Sequence, residues 1–156
     1  MIQTRYDQLW HRWLTYLVGW FACFQLGHLI VLLVFLTDPI RYTKLFQPPE
    51  GWTTQGIDFL IGWSVADASL AVISLLAVLS WFRDAKHAAL LLFVIINLTF
   101  YSALLFLSIN IRLGTFANSP LLSALATLGY LPVLFLGYGL FQHTRTSEVQ
   151  QCNFRV

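Results

Sequence analysis

The run Ile57–Phe82, IDFLIGWSVADASLAVISLLAVLSWF, constrains this chain more than any other stretch. As a helix it would be about 39 Å long, enough to cross a hydrocarbon core of about 30 Å. Near its middle stands one ionisable residue, Asp67. A carboxylate at the centre of a bilayer costs about 3 kcal/mol on insertion scales, so such residues turn toward protein or water. Ser64, Ala68, Ala71 and Ser74 lie around it, and small residues let a second helix approach closely. The pattern predicts a membrane helix whose Asp67 faces the inside of a bundle.

Three further apolar runs accompany it. Trp13–Leu36 is too long for the apolar core of a typical cleavable signal, and no small-residue cleavage site follows it. Ala88–Ile111 and Leu121–Phe141 complete the set. Hydrophobic residues make up 58% of the 156 and charged residues 10%, against about 25% charged in soluble domains. A soluble fold of this size could not bury so much apolar surface. The expected fold is therefore all-α, one transmembrane four-helix bundle with spans at 13–36, 57–82, 88–111 and 121–141. An interfacial segment, 1–12, precedes it. An amphipathic loop, 37–56, lies along the headgroups or folds over the bundle mouth, and a loose polar tail, 142–156, ends the chain.

Local signals set the joints. Asp38-Pro39 closes the first helix and Pro48-Pro49 breaks the long loop. Asn118-Ser119-Pro120 reads as a helix start with a cap ahead of proline. Pro132 should kink the fourth span and free a backbone carbonyl. Gly19, Cys23 and Gly27 recur every fourth residue, a seam suited to close helix packing. With both termini cytoplasmic, the inner side carries Arg5, Arg12, Arg83, Lys86, Arg145 and Arg155. The outer side carries Arg41, Lys44 and Arg112. That bias orients the protein with both ends inside.

Rise per residue then places polar groups by depth. Asp67, Tyr101, Gln25, His28 and Tyr130 all fall about 12–16 Å from the outer boundary. Asn97 lies one turn deeper on the face of Tyr101. The six together predict a polar chamber centred on Asp67, with Asn97 at its floor. The plainer reading is interhelical hydrogen bonding, which such residues supply at about 1 kcal/mol each. That reading weighs most for Asn97, Gln25, Thr99 and Ser102, and least for Asp67.

Several chemistries find no support. His11, His87 and His143 share the inner side, but no HxxxH, CxxC or HExxH spacing joins them, so neither metal nor cofactor is expected. Cys23 and Cys152 imply no disulfide framework. A net charge of +2 without a basic run excludes nucleic acid as an expected partner. Neither a nucleophile elbow nor a phosphate loop is present.

The layout of His28 and Asp38 on the first helix, a proline-rich loop, an acid-bearing second helix and Tyr130-Leu131-Pro132 on the fourth resembles the EXPERA group. These are four-span membrane proteins that include sterol isomerases and sigma-2-type receptors. The resemblance implies a chamber for sterol-like or cationic amphiphilic molecules with Asp67 as the acidic partner. The family's second acid has no equivalent here, which counts against isomerase chemistry. The expected function is binding of an apolar or amphiphilic ligand in an intramembrane chamber, with membrane lipids and a small hydrophobic ligand as partners. One alternative is an accessory subunit of a larger membrane complex or homo-oligomer. Another is an enzyme acting on a lipid, sterol or isoprenoid substrate.

Overall fold

The computed structural model describes residues 2–85, 87–115 and 120–153, and all the regular structure among them is helical. Helix α1 spans Ile2–Thr37, and α2 spans Pro39–Thr43 with a 3-10 turn, Lys44–Phe46, behind it. Helix α3 is Thr54–Phe82, α4 is Ala88–Arg112, α5 is Pro120–Gly129 and α6 is Leu131–Asn153. Three stretches are long and apolar enough to cross a membrane: Leu9–Thr37 of α1, all of α3 and all of α4. In their apolar windows only 22%, 28% and 28% of residues are buried within the molecule. Most of that apolar surface faces outward, where lipid accommodates it and water would not.

Four helices pack as a ring in which α1 touches α3 and α6, and α4 touches the same two. The central core joins Leu14, Val18 and Phe21 of α1 to Ala77, Val78 and Trp81 of α3. Leu92 and Ile95 of α4 and Leu136 and Leu140 of α6 complete it. These residues come from the first part of the apolar stretches of α1 and α4 and from the last part of α3 and of the fourth apolar run, Leu121–Phe141, so neighbouring helices run antiparallel. The packed core therefore sits at the end of the bundle that holds both ends of the chain, here the terminal end. The opposite, or loop, end carries the connection from Asp38 to Thr53.

The fourth apolar run departs from the expected single kinked span. It is broken at Tyr130 into the 10-residue α5 and a separate α6 that carries Pro132 in its first turn. Proline has no N–H to give to an upstream carbonyl, but tolerates a first helical turn well. Across the joint the Val133 amide donates to the Tyr130 carbonyl at 3.1 Å. Two further boundaries can be described. Helix α1 runs unbroken from Ile2, so residues 2–12 continue directly into the apolar stretch, and the tail expected to be loose is helical to Asn153.

Side-chain size explains how the helices approach. Ser64, Ala71 and Ser74 of α3 are buried, the inward face that the small residues predicted. On α6 a side chain at Gly139 would place its Cβ 3.0 Å from Leu14 Cδ1, and one at Gly137 3.3 Å from Ile96 Cγ2. Among the described residues nothing closes against the Gly19, Cys23, Gly27 seam. Cys23 is exposed, and a Cβ at Gly19 or Gly27 would meet nothing within 4 Å.

The helix ends are tied by ordinary capping. Asp84, with φ 52°, ends α3; its amide donates to Trp81 O at 3.0 Å and that of Ala85 to Ser80 O at 3.1 Å, the paired bonds of a left-handed helix stop. Asp38 caps α2 through the Arg41 amide at 3.1 Å, and Thr53 caps α3 through Gly56 at 3.1 Å. Helix α5 begins at Pro120, whereas Asn118 and Ser119, the expected cap, lie outside the described residues, as does Lys86. The long loop is drawn over the bundle. Thr43 and Pro48 are buried, and the Pro49 ring comes within 3.6 Å of a Cβ position on Gly114, just past α4.

Candidate functional site

Between the packed core and the loop end the bundle is hollow. A cavity of about 280 Å³ lies there, lined from α1 by Phe24, His28 and Phe35, from α3 by Trp63, Ser64 and Asp67, and from α4 by Ser102 and Phe106. Gly129 and Tyr130 complete the wall at the break between α5 and α6. The volume falls near the lower end of the roughly 300–1,000 Å³ typical of small-molecule sites. Tyr130 lines this wall from the joint between the two helices.

Asp67 is the focus. Its Oδ2 lies 2.7 Å from His28 Nε2, and its Oδ1 accepts a hydrogen bond from Ser102 Oγ at 2.9 Å. Three helices are thus joined at one carboxylate. The side chains of His28 and Asp67 are 26% and 14% exposed, so the pair is sheltered but borders the cavity. The imidazole is held from a second direction. Phe24, one turn before it, stacks on it with centroids 6.1 Å apart and planes inclined by 3°. The same ring meets Tyr130 edge-on at 5.5 Å. Among the described residues no hydrogen bond reaches His28 Nδ1.

The six expected residues separate into three groups. Asp67, His28 and Tyr130 line the chamber together. Gln25 is buried behind it, donating its amide to Thr99 Oγ1 at 3.3 Å, and Thr99 in turn donates to Ile95 O. That Gln25–Thr99 link crosses the ring from α1 to α4, one turn toward the core. Neither this pair nor Asn97, the expected floor, is among the residues that line the cavity. Asn97 is exposed, with its amide turned back to Phe93 O at 2.7 Å. Tyr101 is also turned outward, 62% exposed. It lines a second, more open groove between α3 and α4, in which Asp67, Trp63 and Ser102 also take part. The expected relation between Tyr101 and Asn97 holds, for they share a face; that face is the outer one.

Two site residues go beyond the sequence reading. A membrane serine is ordinarily satisfied by its own helix, and Ser102 reads as interhelical glue, yet its hydroxyl goes to the carboxylate. Phe24 carries no signal beyond its spacing of four from His28. Among the described residues no three metal-ligating side chains converge.

Compared with known protein families, with curated proteins and with solved structures, the chain matches none.

Proposed function

We propose that this is a four-span membrane protein, both termini cytoplasmic, whose intramembrane chamber holds an apolar or amphiphilic ligand against Asp67. One observation carries the reading: a carboxylate held by His28 and Ser102 sits in the wall of an otherwise largely aromatic and aliphatic cavity. A pair needed only to fasten helices has no use for a void beside it, because voids forfeit packing contacts. The ring of α1, α3, α4 and α6 supports four crossings, with α5 and α6 as two halves of the fourth. A broken helix is tolerated at membrane depth where it lines a cavity, as Gly129 and Tyr130 do. A chamber of this kind is also what the EXPERA-like layout implies.

The test is native mass spectrometry of the protein extracted gently from its own membrane. A stoichiometric small molecule, absent from Asp67→Ala, is the expected outcome. A co-purifying protein with no small molecule would overturn the chamber in favour of a second reading, the accessory subunit. That alternative rests on the Gly19, Cys23, Gly27 face, which is small, apolar and left open by the described residues.

A further inference from the structure

Asp67, Trp63 and Ser102 line two spaces at once. On one side lies the chamber, and on the other a groove of about 500 Å³ cut into the outer surface between α3 and α4. The groove exists because Gly62 and Ala66 leave α3 without bulk there; a Cβ at Gly62 would meet nothing within 4 Å. Its remaining wall is mostly apolar, with Leu98 and Leu105 of α4 beside Tyr101. The partition between the two spaces is thus one side chain thick at the depth of the carboxylate. Trp63 forms the bulk of it, resting edge-on against Phe59 at 5.7 Å and Phe106 at 6.4 Å. Entry along the bundle axis is obstructed at both ends. The core fills the terminal end, and the long loop lies over the other with Thr43 and Pro48 buried. Helices α3 and α4 are both long and apolar enough to cross a membrane, and in a bilayer this depth would face lipid.

We propose that the α3–α4 groove is a lateral portal. Through it a long-chain lipid with an uncharged hydroxyl head passes from the bilayer to the His28–Asp67 pair, with Trp63 as the door. The inference rests on the chamber reading and adds the route and the head group. The head group follows from the open valences. Both Asp67 oxygens already hold a protein partner, and the polar atoms of the same wall without one among the described residues are the hydroxyls of Ser64 and Tyr130, which a hydroxyl can meet as donor or acceptor, and His28 Nδ1. That nitrogen donates or accepts according to tautomer and protonation. A hydroxyl satisfies it in either state, whereas an ammonium could only donate to it and a carbonyl only accept from it. The chain occupies the apolar groove during passage and the aromatic chamber at rest.

Hexadecanol carrying a diazirine in its chain is the probe. It is delivered from donor phosphatidylcholine vesicles to the full-length protein in acceptor vesicles, irradiated at successive times, and its adducts are mapped by peptide mass spectrometry. Wild type should give adducts first at Leu98 and Leu105 and then at Phe35 and Leu60, which line the chamber and are buried. Gly62→Leu and Ala66→Trp both add bulk at exposed positions where the fold has room. Each should slow chamber labelling at least tenfold while leaving its final extent unchanged, and Trp63→Ala should accelerate it. Chamber labelling at the wild-type rate in both filled variants would overturn the portal and leave the chamber standing. Wild-type protein labelled in the groove and never in the chamber would overturn both.

Discussion

At the scale of residues, the carboxylate of Asp67 decides how much its neighbours matter. Asp67→Ala strands the donors of His28 and Ser102, and each unsatisfied buried donor costs about 1–3 kcal/mol. Asp67→Asn keeps an acceptor and loses less. Ser102→Ala removes one neutral partner and should cost about 1 kcal/mol. Unfolding in mixed micelles should therefore rank D67A as the least stable variant, D67N above it, and S102A nearest wild type. Equal stability for D67A and wild type would show that the carboxylate contributes nothing to the fold. The level of this constellation was legible from sequence, since rise per residue alone puts Asp67, His28 and Tyr130 at one depth. Rotation about the helix axis was not. Successive helix residues point about 100° apart, and that single step separates Tyr101, which looks outward, from Ser102, which binds the acid. The same ambiguity separates Asn97, bonded to its own helix, from Thr99, which meets Gln25. Only the facing helix resolves it.

At the scale of elements, glycine serves two opposite purposes. Gly139 and Gly137 let α6 lie against Leu14 and Ile96, so Gly139→Val should overpack the core and destabilise by about 1–3 kcal/mol. Gly19→Leu points into open space and should shift stability by no more than about 0.5 kcal/mol. Thermal unfolding of the two variants side by side reads the contrast, and a destabilised Gly19→Leu would mean that α1 packs there after all. Sequence spacing marked Gly19 and Gly27 as a seam more clearly than Gly137 and Gly139, yet the less regular pair makes the contact. A small-residue repeat says that a helix can be approached closely and leaves open by which neighbour. The break at Tyr130 shows the same limit. Pro132 announced a disturbance, but whether a proline bends one helix or starts another depends on whether the freed backbone has a cavity to line.

At the scale of the whole molecule, the two ends differ in chemistry as well as packing. At the terminal end His11 stacks on Trp81 with centroids 5.6 Å apart, and His143 approaches both rings. His143 lies beyond the last apolar run. Burial first, and then the nearby charge of His11, hold its pKa below the ordinary 6.5. The unfolded chain takes up this proton at higher pH than the folded one does. Stability associated with His143 is therefore present above about pH 7 and lost as pH falls through 6.5 and below. The melting temperature in detergent should drop between pH 7.5 and pH 5, and His143→Gln should reduce that drop. An unchanged drop in the variant would clear His143 of responsibility.

The division of the bundle into a filled half and a hollow half also has a mechanical consequence. Close-packed protein interiors are barely compressible, so the half around Phe21, Leu92 and Leu136 behaves as a rigid clamp. The half around the chamber has volume to give up. A molecule clamped at one end and yielding at the other works like a pair of tongs. In the proposed four-span arrangement its cross-section in one leaflet would follow the ligand it holds, while its cross-section in the other stayed fixed, and lateral pressure in the yielding leaflet would do work on the chamber directly.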